Sequence, residues 1–184
     1  FTAGGTTRGA FNSGGLQVVG ALSANAATFT TADNLDTLSL ISTDADGNAG
    51  PNLRFYRNSG SPADNDLMAK VDFEGRNDNS QDVVYASIEN YALDVSDGTE
   101  DGELTFYTIV NGTSRNRLDF TNTQTIFNES GLDLNFRVES DGNDHMLFVD
   151  GSSNFVTVGD SATFGGNFNV FGATGIRGKK ASGY

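Results

Sequence analysis

Few residues in this 184-residue chain have the types and spacing that chemistry requires. His145 is the only histidine and the sequence has no cysteine. A histidine-based triad, a site of several histidines and a thiolate metal site are therefore excluded within one chain. Asp and Glu are plentiful, but no pair is singled out by its spacing as the acid and base of a glycoside hydrolase. The sequence predicts a protein that is not an enzyme.

The acidic turns are the remaining chemical candidates. Asp44, Asp46 and Asn48 have the spacing of the first half of an EF-hand loop, whose oxygen ligands suit calcium. The glutamate that should close such a loop is missing, and no flanking helices are indicated. Asp-Gly and Asn-Gly turns are also common in β proteins, because Asp and Asn tolerate left-handed backbone. We expect no cofactor, and keep a structural calcium ion at these three residues as the alternative.

The composition indicates an all-β chain. Only 36% of the residues are hydrophobic and 23 are glycine, while runs of helix formers at helical spacing are absent. Strands alternate apolar and polar residues, since successive side chains point to opposite faces. The segments with this alternation, or with short apolar runs, are Leu16–Leu22, Thr28–Thr31, Thr37–Ser42, Leu53–Arg57, Leu67–Glu74, Asp82–Leu93, Leu104–Val110 and Ser114–Phe120.

Asn111-Gly112 predicts a hairpin between the last two of these strands. A regular two-residue loop would place Phe106 opposite Arg117. A shift of one residue would place Phe106 opposite Leu118 and unite the apolar faces. We therefore predict a longer loop or a β-bulge between Val110 and Leu118.

The stretch from Leu132 to Gly159 contains three further strands separated by two polar turns. Its first strand, Leu132–Val138, alternates, whereas Met146–Val149 is apolar at every position. A strand of the second kind is typically buried on both faces. No helix in the sequence is able to cover the second face, so we expect a partner outside this stretch to do so. The candidate interface residues are Met146, Leu147, Phe148, Val149, Val156 and Val158.

Charge limits the classes of partner. The formal net charge is −13, and an acidic surface repels nucleic-acid phosphates. No apolar run approaches the roughly 20 residues of a membrane span. We expect neither nucleic acid nor a membrane among the partners.

The pattern divides the chain into four parts. Residues 1–50 are predicted to form a thin, fibre-like segment that ends where Gly and Pro cluster. Residues 51–122 form a patterned antiparallel β domain, sandwich-like or meander-like, and residues 123–171 a second fibre segment. Residues 172–184 form a tail rich in Gly and Lys.

The sequences of three stretches resemble those of fibre-like virion proteins of tailed phages, particularly phages of marine and cyanobacterial hosts. They are LRFYRNSGSPADNDLMAKVDFEGRNDN, DVSDGTEDGELTFYTIVNG and FRVESDGNDHMLFVDGSSNFVTVG, and the likeness spans most of Pro51 to Gly159. The resemblance implies an elongated, intertwined parallel homotrimer that serves as a tail or head fibre, without catalytic residues.

The implied location is the virion. The implied partners are further copies of the chain, other virion proteins and a glycan or protein on the host surface. Two alternatives stay open at this point. One is a capsid decoration protein, and the other is a secreted calcium-binding or carbohydrate-binding β module.

Overall fold

The computed structural model describes residues 21–158 throughout, and the backbone of short strands within 2–18 and at 168–170. The prediction of an all-β chain is confirmed: the described residues form thirteen strands and no helix. None of the described segments is a helix long and apolar enough to cross a membrane. The strands are β1 Thr2–Ala3, β2 Thr6–Thr7, β3 Gly9–Asn12, β4 Gly15–Val18, β5 Asp66–Arg76, β6 Asp82–Asp94, β7 Asp101–Val110, β8 Thr113–Phe120, β9 Thr125–Phe127, β10 Phe136–Ser140, β11 Asn143–Asp150, β12 Phe155–Val158 and β13 Phe168–Val170.

The chain divides into two units, Phe1–Arg54 and Phe55–Tyr184. The first contains two antiparallel strand pairs, β1 with β2 and β3 with β4. The second contains two larger sheets. The boundaries predicted between the four parts of the chain stay predictions, and the predicted tail, residues 172–184, lies outside the described residues.

The larger sheet, here called sheet I, is an antiparallel meander in which β5 to β9 pair in chain order. Its strands are those with the clearest alternation in the sequence. Asn111 and Gly112 form the turn between β7 and β8, with φ angles of 49° and 75°. Positive φ at both central residues is what a type I′ turn requires, and it matches the twist of the flanking strands.

The predicted β-bulge is confirmed in this hairpin. Val110 pairs with Thr113 across the two-residue turn, yet Phe106 pairs with Leu118 and Leu104 with Phe120. The register shifts after Tyr107, which pairs with Asn116. Arg117 is thus the extra residue. It reconciles a tight turn with a register that keeps apolar side chains on one face.

The smaller sheet, sheet II, contains β10, β11, β12 and β13 in that order. Its first three strands are antiparallel, and β13 pairs with β12 in parallel. The turn after β11 passes close to the chain that enters β10. A Cβ on Gly151 would lie 2.6 Å from the Leu134 carbonyl oxygen. Asn135 accepts a hydrogen bond from the Gly151 amide over 3.0 Å.

Three predicted strands before sheet I are wrong. Residues 21–65 form no strand, although Thr28–Thr31, Thr37–Ser42 and Leu53–Arg57 have strand-like patterns. Local hydrogen bonds take the place of strand pairing in part of this region. The Asp33 carboxylate accepts hydrogen bonds from the Leu35 amide and the Thr31 hydroxyl. Such side-chain bonds compete with secondary structure.

Two other predicted strands are shorter than expected. β4 ends at Val18, and Ala21 and Leu22 lie outside any strand. The predicted strand Leu132–Val138 begins only at Phe136 as β10. The Leu134 amide donates to the Leu132 carbonyl over 2.8 Å, a tight turn that prevents ladder pairing at this point.

Candidate interaction surface

Sheet I has one apolar face that the described chain leaves largely open. Directly opposed residues of a sheet point to the same side, and the strand register defines three rows on this side. The first row ends in Phe120 and Thr125, the second is apolar throughout, and the third ends in Arg115. The first row is Ala69, Asn90, Leu104, Phe120 and Thr125. The second is Val71, Ile88, Phe106, Leu118 and Phe127, and the third is Phe73, Ala86, Thr108 and Arg115.

Exposure on this face is high for apolar side chains. Phe73 is 55% exposed, Phe127 54% and Phe120 42%. The rings of Phe106 and Phe120 meet edge to face, with centroids 6.4 Å apart. Among the described residues, Phe148 is the only buried hydrophobic side chain. Phe55 shares a small cavity with Val71 and Ile88, and within the described part of the chain the rest of this face has no covering layer.

Sheet II has an apolar face of its own. Its register aligns Phe136, Val149 and Val156 in one row, and Val138, Leu147 and Val158 in the next. Four of the six interface residues predicted from the sequence lie in these rows, and none of the four is fully buried.

The other two predicted interface residues, Met146 and Phe148, point to the opposite side of sheet II. Phe148 aligns with Arg137 and Thr157 and is 6% exposed, while Met146 is 44% exposed. The His145 ring lies edge-on to Phe148, with centroids 4.8 Å apart. The register thus divides the predicted interface residues between two faces.

A ring contact joins the apolar faces of the two sheets. Phe127 ends a row of sheet I, Phe136 begins a row of sheet II, and their ring centroids are 4.8 Å apart. An open cavity of about 400 Å³ lies at this junction. Its lining is Arg117, Phe127, Asn128, Leu134, Asn135, Phe136, Val149 and Gly151. We call the two faces together the joint apolar surface.

The opposite face of sheet I is polar. One row across β5 to β8 contains Lys70, Glu89, Thr105 and Asp119. Glu89 is the centre of this row: its carboxylate lies 3.1 Å from the Lys70 ammonium and accepts from the Tyr91 hydroxyl over 2.6 Å. Ser87 donates to the same carboxylate over 3.2 Å. These bonds satisfy a carboxylate that is mostly withdrawn from water.

The electrostatics of this polar face centre on Glu89. Burial acts to raise the pKa of Glu89, but the bonds from Tyr91 and Lys70 outweigh it and hold that pKa below its ordinary value. The same contact with Glu89 raises the pKa values of Lys70 and of Tyr91. Burial, and then the negative charge of Glu89, raises the pKa of Tyr107. All of these groups keep their ordinary charge at neutral pH.

Three buried polar atoms on β8 have no hydrogen-bond partner in the described part of the chain. They are the Arg115 Nε, the Asn116 Oδ1 and the Asp119 Oδ1. Asp119 itself is buried, and its other carboxylate oxygen accepts from the Asn116 amide group. Buried polar atoms of this kind are commonly hydrogen-bonded to water.

The calcium candidates Asp44, Asp46 and Asn48 are fully exposed and bonded to one another. Asp44 accepts from the Asp46 amide over 3.2 Å, and Asp46 accepts from both the amide and the side chain of Asn48. The two bonds from Asn48 lower the pKa of Asp46. Within the described residues, no three His, Cys, Asp or Glu side chains are grouped as metal ligands would be.

His145 is paired locally. Its Nδ1 lies 2.8 Å from the Asp144 carboxylate, and this contact lowers the pKa of Asp144. With its ring against Phe148, this side chain caps the start of β11. The structure gives it a packing role.

Comparison with known proteins gives no relative. No family model, no curated protein and no solved structure matches the chain. The sequence prediction did not identify the sheet I part of the joint apolar surface as a site. Collecting alternate residues strand by strand would have found its sheet I part, provided that the bulge at Arg117 was included.

Proposed function

We propose that the chain is a structural component of a phage virion, a homotrimeric tail or head fibre or appendage that contributes to attachment to the host surface. The observation that supports this most strongly is the joint apolar surface. The described part of this all-β chain buries a single hydrophobic side chain and so lacks the core that a solitary domain needs. Other copies of the same chain can supply the missing layer.

The resemblance of Pro51 to Gly159 to fibre-like virion proteins of tailed phages supports the same proposal. The thin sheets are also consistent with it, since fibres assemble from strands that gain their second layer from neighbouring chains. An assembled trimer would remove the exposed sheet edges that make single β chains prone to aggregation.

Three measurements test the proposal. Sedimentation velocity at micromolar concentration should give the mass of three chains. Immunogold electron microscopy of the phage that contains this protein should place the label on tail or head appendages. Label spread evenly over the capsid shell would instead identify a decoration protein, and purified particles without the protein would overturn the proposal. Antibody that blocks adsorption to host cells would support the role in attachment.

A further inference from the structure

We infer that the joint apolar surface, and not the polar face of sheet I, is where copies of the chain meet. The inference rests on the proposed homotrimer and adds to it the face that each chain turns toward its neighbours. It also changes the predicted interface: sheet I contributes most of the contact, and Met146 and Phe148, which point to the other side of sheet II, are not part of it.

Charge supports this choice of face. The three rows of the apolar face of sheet I contain no carboxylate, and their only charge is Arg115 at one end. The chain has 24 acidic residues against 11 basic ones. On the polar side, the Lys70–Glu89 row and its neighbours hold Asp72, Glu89, Glu103 and Asp119. Two copies that met there would bring like charges together, which is unfavourable.

The size of the joint apolar surface also supports its assignment as the contact between copies. Five strands about 4.8 Å apart and three rows of side chains give sheet I a face of roughly 24 by 20 Å. Two rows across β10 to β12 of sheet II add about 200 Å², so the surface covers roughly 650 Å². Each partner in a standard interface contributes about 800 Å². The joint apolar surface is therefore close in size to the share that one partner contributes to a standard interface.

The identity of the occupant follows from these two properties together. A chain with a net charge of −13 is repelled by its own copies over most of its surface. Contact between copies is favourable where carboxylates are absent and apolar area is available. The joint apolar surface meets both conditions, and apolar side chains of one copy can pack against the same residues of the next.

Cysteine protection tests the inference, because the natural chain has no cysteine. Val71→Cys places a thiol on the apolar face of β5. Glu74→Cys places one on the opposite side of the same strand, and both positions are exposed in the single chain. In the assembled protein, we expect maleimide to label the Val71→Cys thiol at least 10-fold more slowly than the Glu74→Cys thiol. Phe120→Cys on β8 repeats the test at an independent position.

Sedimentation of the same samples separates the two proposals. A trimer in which Val71→Cys and Phe120→Cys react as fast as Glu74→Cys would overturn the inferred face and leave the homotrimer intact. A monomer would overturn both. If one cysteine variant fails to fold, the other decides the outcome, and the Glu74→Cys variant reports the rate for an open thiol.

Discussion

Phe127 and Phe136 join the two sheets of the second unit through a contact of their rings, with centroids 4.8 Å apart and planes inclined at 48°. Each residue also ends a row of apolar side chains, Phe127 in sheet I and Phe136 in sheet II. The contact therefore sets how the two apolar faces continue into each other.

A double-mutant cycle should detect this contact. Ring pairs contribute about 0.5–1.5 kcal/mol beyond their buried area, so Phe127→Ala and Phe136→Ala should be coupled by that amount in urea unfolding at one protein concentration. The control pair is Phe73→Ala with Phe127→Ala, because Phe73 lies on the far strand of sheet I, about 19 Å from Phe127. The control pair should be additive within about 0.5 kcal/mol. Equal coupling in the two pairs would contradict the role of the ring contact.

Gly151 is required by the approach of the chain before β10. A Cβ at this position would lie 2.6 Å from the Leu134 carbonyl oxygen and 2.7 Å from its amide nitrogen. Backbone atoms cannot move aside cheaply, so we expect Gly151→Ala to lower the free energy of unfolding by about 1–3 kcal/mol. Gly60→Ala is the matched control, because nothing lies within 4 Å of the corresponding Cβ. A neutral Gly151→Ala variant would show that the two segments separate easily.

The bulge at Arg117 makes a prediction about deletions. Removing Arg117 or Leu118 removes one residue, so either deletion restores a regular ladder and keeps Phe120 opposite Leu104. Deletion of Arg117 leaves Leu118 opposite Phe106, whereas deletion of Leu118 places Arg117 there. We expect the second deletion to cost about 2 kcal/mol more, the value of one Leu side chain. Thermal unfolding of the two variants measures the difference, and equal stability would contradict the apolar register.

The bulge also shows what could be predicted from the sequence. The strands of sheet I alternate cleanly, and a one-residue slip would move a whole set of side chains to the wrong face. The conflict between the Asn111-Gly112 turn and the apolar register was therefore visible without coordinates. Outside sheet I the pattern did not predict the strands correctly, because Leu38 and Leu40 alternate as strand residues do but form no strand. Pairing depends on distant segments, which a local pattern does not contain.

The candidate surface was predictable only in part for the same reason. Met146 to Val149 read as a run buried on both faces, yet the register places Leu147 and Val149 on one side and Met146 and Phe148 on the other. The larger apolar face of sheet I became evident only when the five strands were aligned. Whether a face is covered depends on the whole chain, and no single strand contains that information.

Glu89 should give the protein part of its sensitivity to acid. Its folded-state pKa lies below the ordinary value of 4.5, because bonds from Tyr91 and Lys70 outweigh the effect of burial. The unfolded chain therefore takes up this proton at higher pH than the folded chain does. The stabilisation from Glu89 is complete above its unfolded pKa and is lost as the pH falls through the folded pKa.

Glu89→Gln tests this directly. At neutral pH the variant should unfold about 1–3 kcal/mol more easily, because it loses bonds to a charged, mostly buried carboxylate. Between about pH 5 and pH 3 its stability should fall less steeply than that of the natural chain, since the linked proton is gone. Glu74→Gln, at an exposed position of β5 on the same side of sheet I, is the control for removing one carboxylate and should change the stability at neutral pH by less than about 0.5 kcal/mol. Urea unfolding across this pH range measures both slopes, and an unchanged slope in Glu89→Gln would assign the acid sensitivity to other carboxylates.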